Sequence, residues 1–201
     1  MKKMFVVLTM WLLVLICNAA ALAQEDGREA AVYTMSNDPA GNAVLAFNLA
    51  DGILSPGGVF PTGGLGSGGR EPDFGLGNAH ALQLGEDNRL MFVVNPGSND
   101  ISVFAVQNNA LTLLDRVSSG GKQPVSVAVH GDFVYVLNAG GNVSDVDNIT
   151  GFSVSHEGKL LQLSDSTRPL STAAAAPAQI QFSPNGKVLV VTEKSTNIID
   201  T

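Results

Sequence analysis

Apolar residues in this chain come in short runs, and the runs are punctuated by Gly, Asn, Asp and Pro. The spacing of an amphipathic helix is hard to find. Runs of Val, Ile, Phe and Thr between turn residues predict strands joined by tight connections. The clearest group is His80–Leu84, Leu90–Asn95, Ile101–Val106 and Leu111–Val117, separated by "GEDN", "PGSND" and "QNNA". β-Branched and aromatic residues suit these runs because they pack well on a pleated surface.

The wording then repeats. "RLMFVVNPGSNDISVFAV" returns as "FVYVLNAGGNVSDVDNITGFSV" and, degraded, as "KVLVVTEKSTNIID". The period from Asn95 to Asn138 is 43 residues. A four-stranded unit of that length is a propeller blade, which buries its faces against two neighbours. The predicted fold is all-β, a β-propeller of four-stranded antiparallel blades. Blades are expected over about 30–62, 79–118, 124–165 and 177–201. In the first, "AVYTMSN", "NAVLAFNL" and "LSPGGVFPTGG" read as second, third and fourth strands, with no first. The last breaks off within its third strand. About four blades do not close a ring at the usual packing. The pattern therefore predicts an N-terminal fragment of a larger ring. A small ring, an open solenoid and a ring closed by two copies of the chain are the alternatives.

Composition narrows the setting. Hydrophobic residues are 45% of the 201 and charged residues only 14%, enough apolar material for a packed core. The start departs from the repeat: "MKK", then "MFVVLTMWLLVLIC", then small residues ending Ala21-Leu22-Ala23. This order predicts a secretory signal peptide over 1–23, cut before Gln24, and a secreted or periplasmic protein. The apolar run is short for a membrane span. Cleavage removes Cys17 and Trp11, the only residues of their kinds. The mature chain then has no disulfide, no thiol nucleophile and no cysteine-based metal site. Two Lys and no acids leave with the signal, so nine Lys plus Arg face eighteen Asp plus Glu, a net charge of −9. That balance argues against nucleic acid and anionic membranes as partners. No cofactor and no metal are expected, and the oligomeric state is left open.

On these residues the chain resembles the seven-bladed β-propeller lactonases, the group of 6-phosphogluconolactonase and carboxymuconate cyclase. The likeness runs through nearly all of the mature chain. It is carried by "MFVVNPGSNDISVFAV" and by "FSPNGKVLVVTE". The segment "AVYTMSNDPAGNAVLAFNLADGILSPGGVFPTGGLGSGG" is similar to exported members. The resemblance implies about 3.5 blades present of seven. It also implies hydrolysis of a small cyclic ester, or the related ring closure, at the channel mouth.

In a propeller the loops from fourth to first strand and from second to third strand share one face. Here the first set is long: Pro61–Ala79, Ser118–Pro124 and Ser164–Pro177. Ala139–Asn148 belongs to the second set. Long loops on one face mark a binding face. His80 opens an inner strand there, and a His at a channel mouth can handle a proton near neutral pH. By the resemblance, His80 falls on the second His of a Pro-His-Ala-His-Ser phrase linked to catalysis. Asn78 stands where that phrase has its first His. Glu193, at the end of a second strand, matches a family Glu if one upstream residue is deleted; without that gap it shares the position of Asn95 and Asn138. The catalytic candidates are thus His80 and Glu193, and the substrate-binding candidates Asn78, Asn95 and Asn138. The bland readings are a loop-bonded His80 and a Glu193 in a solvated turn. The family Arg that would hold an anion is Ala178 here, which argues against phosphorylated or carboxylate substrates.

Other features carry less. Asp145 and Asp147 in "SDVDN" offer too few oxygens for calcium and read as a solvated loop. "GGLGSGG" over 63–69 lacks a following Lys-Ser/Thr and reads as a flexible loop. His130 and His156 fall in tight turns away from the mouth. "NVS" at Asn142 and "NIT" at Asn148 are sequons only in a eukaryotic source. Two function classes follow: a lactonase-like enzyme, or a non-enzymatic extracytoplasmic propeller acting as a binding or interaction scaffold.

Overall fold

The computed structural model describes residues 30–68, 79–142 and 144–201. The expected signal peptide and Asn78 lie outside the described residues. Ala31–Thr201 cluster as one unit.

Every regular element among the described residues is a strand, and their pairings are antiparallel. β1 (Ala30–Met35), β2 (Ala43–Ala50) and β3 (Ile53–Pro61) form a three-stranded sheet, blade A. β4 (Leu82–Leu84), β5 (Leu90–Asn95), β6 (Asp100–Gln107) and β7 (Ala110–Ser118) form blade B in sequence order. Blade C contains β8 (Pro124–His130), β9 (Phe133–Asn138), β10 (Asn148–Val154) and a fourth strand in two pieces. Those pieces, β11 (Leu160–Gln162) and β12 (Arg168–Pro169), both pair with β10. β13 (Pro177–Phe182), β14 (Leu189–Glu193) and β15 (Ile198–Asp200) make blade D. This is an all-β, propeller-like stack of whole and partial blades.

Alternation along the strands explains the stacking. On β5, Met91 and Val93 enter the core shared with blade A, whereas Phe92 and Val94 enter the core shared with blade C. On β9, Val134 and Val136 face blade B while Leu137 faces blade D. Runs such as "MFVV" are therefore apolar at every position because both faces are covered. Phe92, Phe104 and Phe152 are at most 2% exposed. Burying each such ring stabilises the stack by about 2–3 kcal/mol.

Two local expectations change. The inner strand of blade B begins at Leu82, and His80 sits in the preceding turn with φ 63°. Residues Gly63–Gly68 are not a loose loop. Gly66 N–H donates to Asp38 O (2.9 Å), Gly68 N–H to Asn37 O (3.0 Å), and Gly97 N–H to Leu65 O (2.9 Å). The segment is laced between the β1–β2 and β5–β6 loops.

Candidate functional site

The blade joints are built first by polar residues at the ends of the second strands. Asn95 has no exposed surface. Its Oδ1 accepts from Asn42 Nδ2 (2.8 Å), and its Nδ2 donates to Asp100 Oδ1 (2.7 Å) and Ser102 Oγ (2.8 Å). Arg116 completes the group by pairing with Asp100 at 2.8 Å. Asn138, one blade on, is equally buried. Its Nδ2 donates to Ser119 O (3.2 Å) and Asn148 Oδ1 (3.0 Å), while its Oδ1 has no partner in the protein. Asn99, which stands one blade on from Asn42, accepts Gln123 N–H on its Oδ1 at 2.8 Å.

The third joint differs, because a carboxylate only accepts. Glu193 is buried, and its donors come from the loop before β13 and from the β14–β15 turn. Ser171 N–H reaches Oε1 at 3.1 Å, and the hydroxyls of Ser171 and Thr196 both reach Oε2, the latter at 2.6 Å. Burial pushes the Glu193 carboxyl up, but the Ser171, Thr196 and Asp200 hydrogen bonds outweigh it and hold it below its ordinary value. Asp200 is raised by sharing that hydrogen bond. Asp147, also buried, is raised chiefly by desolvation, although it accepts backbone N–H groups of Ala175 and Ala176. Asp147 is therefore not in a solvated loop, and Asp145 points instead to Lys122 at 3.1 Å. Nor is Glu193 a solvated turn residue.

These shifts set a pH prediction. A carboxyl depressed by folding contributes stability that is full above its unfolded value and is lost as pH falls through its folded value. Asp147 and Asp200 have the opposite sign and cost stability at neutral pH. Glu193→Gln should lower neutral stability by about 1–3 kcal/mol, since an amide cannot accept all of those donors. Its stability should also decline less on acidification than that of the parent. Urea midpoints measured from neutrality down through the carboxylate range check this.

The inner strands are tied together through Ser126. Ser126 Oγ donates to Ala79 O (2.8 Å) and accepts Ile180 N–H (3.2 Å), so it stitches blades B, C and D. Val127 N–H donates to His80 O at 2.9 Å. The left-handed backbone of His80 turns its half-buried ring to Gln179, whose Nε2 lies 3.4 Å from His80 Nδ1. An amide nitrogen only donates. This contact suits the neutral tautomer in which Nδ1 accepts and Nε2 carries the proton.

Residues 42–138 match the model of the family described as lactonase, 7-bladed β-propeller. That stretch, just under half of the chain, is similar to the lactonase propellers. Solved structures agree on the fold. The "putative 6-phosphogluconolactonase" of Bacteroides uniformis ATCC 8492 superposes at TM-score 0.60 and 20% identity, covering 83% of this chain and 46% of its own. A protein of the same description from Bacteroides fragilis NCTC 9343 gives 0.57 and 17%, covering 88% and 52%. A functionally unknown protein of Desulfotomaculum acetoxidans DSM 771 gives 0.57 and 20%, covering 78% and 46%. The chain spans about half the length of these structures. None of the curated proteins matches it.

Within this fold the candidate residues separate. His80 lies in the turn before β4, beside Gln179, whereas Asn95, Asn138 and Glu193 are enclosed in three successive joints. Among the described residues no hydrogen bond or ion pair joins His80 to Glu193. Ala178 lies at the irregularity between Pro177 and Gln179 in the β13–β14 register. Sequence reasoning missed Gln179, Ser126 and Asn42. Only their repeat positions signalled them, because their partners are distant in sequence. His130 pairs with Glu86 at 2.8 Å, and His156 lies 3.4 Å from Arg89, both at tight turns. Among the described residues no group of acids and histidines is placed to hold a metal, and no helix is long and apolar enough to cross a membrane.

Proposed function

We propose that the chain forms the mouth-bearing part of an exported, lactonase-like propeller that hydrolyses a small neutral cyclic ester. The observation that carries this reading is His80, with its ring oriented by Gln179 on the loop-rich face. The similarity of residues 42–138 to the lactonase family supports it. Water attacks the ester carbonyl, the ring C–O bond breaks, and the new alkoxide takes up the proton that water releases. In the tautomer that suits the Gln179 contact, His80 Nε2–H donates to the developing oxyanion, a role for a neutral imidazole. Ala178 leaves no guanidinium at the family's anion position, so the favoured substrates carry no phosphate or carboxylate. The basic–apolar–small start of the sequence supports a secreted or periplasmic location.

His80→Ala should lower kcat/KM for a neutral δ-lactone by about 100-fold, and His80→Gln, which keeps a donor, should lose less. Equal rates above background for parent and H80A would overturn the role. A second reading is supported by the enclosure of Asn95, Asn138 and Glu193: a binding propeller without turnover. No hydrolysis above background, with saturable binding of the lactone retained, would favour it.

A further inference from the structure

The repeat allows one joint to serve as the reference for the next. At the joint of blades A and B, the fourth-to-first loop leaves Leu65 and continues as Gly66-Ser67-Gly68 past the β1–β2 loop. Peptide fills that space. Gly66 and Gly68 donate to Asp38 O and Asn37 O, and Ser67 N–H donates to Asn37 Oδ1 at 2.9 Å. The joint of blades B and C starts alike: Gly140 N–H donates to Lys122 O as Gly97 N–H does to Leu65 O. Here, however, the chain enters β8 directly after Gln123. The space beside Pro96 stays open as a cavity of ≈ 330 Å³ on the loop-rich face.

We propose that this cavity binds a neutral polyhydroxylated small molecule. Its walls include Ser67, Asn99, Lys122, Gln123, Asn142 and Asp145. Lys122 and Asp145 pair at 3.1 Å, and Asp145 also accepts Asn142 Nδ2 at 2.5 Å, so the wall has no uncompensated cation for a phosphate or carboxylate. The Ser67 hydroxyl is engaged with Asn37, but the amides of Asn99, Gln123 and Asn142 combine donors and acceptors, which matches hydroxyl groups that do both. The volume suits a sugar-sized ligand. Two lining residues are held in left-handed conformations, Asn99 at φ 60° and Gln123 at φ 51°. The Gln123 N–H to Asn99 Oδ1 bond (2.8 Å) locks them together, so this wall is formed before any ligand arrives. The ligand takes over the hydrogen-bonding surface that peptide covers at the preceding joint.

This goes beyond the lactonase reading, because His80 is not in the wall and binding is read without turnover. Saturation-transfer NMR and calorimetry on the full chain, with D-glucose and D-glucose 6-phosphate as probes, test it. The parent should bind glucose saturably at millimolar Kd and glucose 6-phosphate no better. Asn142→Ala and Gln123→Ala should each weaken glucose by about tenfold while circular dichroism stays unchanged. Asp145→Asn, which frees Lys122, should shift preference toward the phosphate. Absence of saturable glucose binding up to about 50 mM would overturn the proposal. So would affinity unmoved by N142A and Q123A, or tighter binding of the phosphate by the parent. Lactone turnover should be the same in N142A and parent, so a failure here is separable from a failure at the mouth.

Discussion

Gly97→Ala is expected to detach blade A from blade B. A Cβ at Gly97 would stand 2.1 Å from the carbonyl oxygen of Gly66 and 3.2 Å from Leu65 Cβ. The first obstacle is backbone. Gly66 cannot retreat, because a Cβ on its own Cα would lie 2.1 Å from the Asn37 carbonyl carbon, a measure of how tightly it is already packed. Its N–H is also tied to Asp38 O. The new methyl has to push the laced segment out, losing the Gly97 N–H to Leu65 O bond and the Leu65 N–H to Ser98 Oγ bond (2.8 Å) with it. Overpacking against an immovable backbone plus those bonds should cost about 3–5 kcal/mol. Denaturant unfolding should show the loss as a lower midpoint. Protection of the β2 amides against hydrogen exchange should fall before that of the β9 amides. Equal protection in both strands would mean that the segment adapts without loosening the joint.

Asn95→Ala should cost nearly as much, and more than the same change at Asn138. Truncating Asn95 strands a donor hydrogen on Asn42 and the Oδ1 acceptor of Asp100, buried together, while the Ser102 hydroxyl keeps its bond to Thr62 O at 2.9 Å. Each uncompensated buried group costs about 1–3 kcal/mol, so a loss of about 3–4 kcal/mol is expected. Asn138 already carries an amide oxygen with no protein partner. Removing it deletes that cost along with two hydrogen bonds, and N138A should lose only about 1–2 kcal/mol. Parallel urea titrations of the two variants decide the matter. Equal costs would show that a solvent molecule satisfies the Asn138 oxygen, and a larger cost for N138A would reverse the account of the joints.

The comparison of these two asparagines shows what was legible and what was not. The period of 43 residues marks them as equivalent, and equivalent they are in backbone position. Their partners differ because Asn42 and Asn99, also equivalent, turn to different acceptors and donors. Asn42 meets Asn95 across 53 positions of chain, so no local pattern announces the bond. Glu193 is a similar case. Beside Lys194 in "TEKST" it reads as an exposed turn, yet Ser171 and Thr196 close over it. His80 reads in the sequence as the start of a strand, whereas the structure has it in the turn before Leu82. Its left-handed φ, which the residue type does not disclose, is what turns the ring toward Gln179.

The sequence by itself determined the architecture. Apolar runs of strand length, two-sided in their hydrophobicity and repeated at one period, admit little besides stacked antiparallel blades, because both faces must be covered. The positions of Gly, Asn and Pro mark most of the turns, since those residues favour the backbone angles required. Only the tertiary structure decided which polar residues serve the joints and which face the mouth. Burial of a polar group is tolerated where distant segments bring matching donors and acceptors, and that matching is a property of the assembled blades. The cavity beside Gln123 is of the same kind. It exists because one loop fills its joint with peptide and the next loop does not.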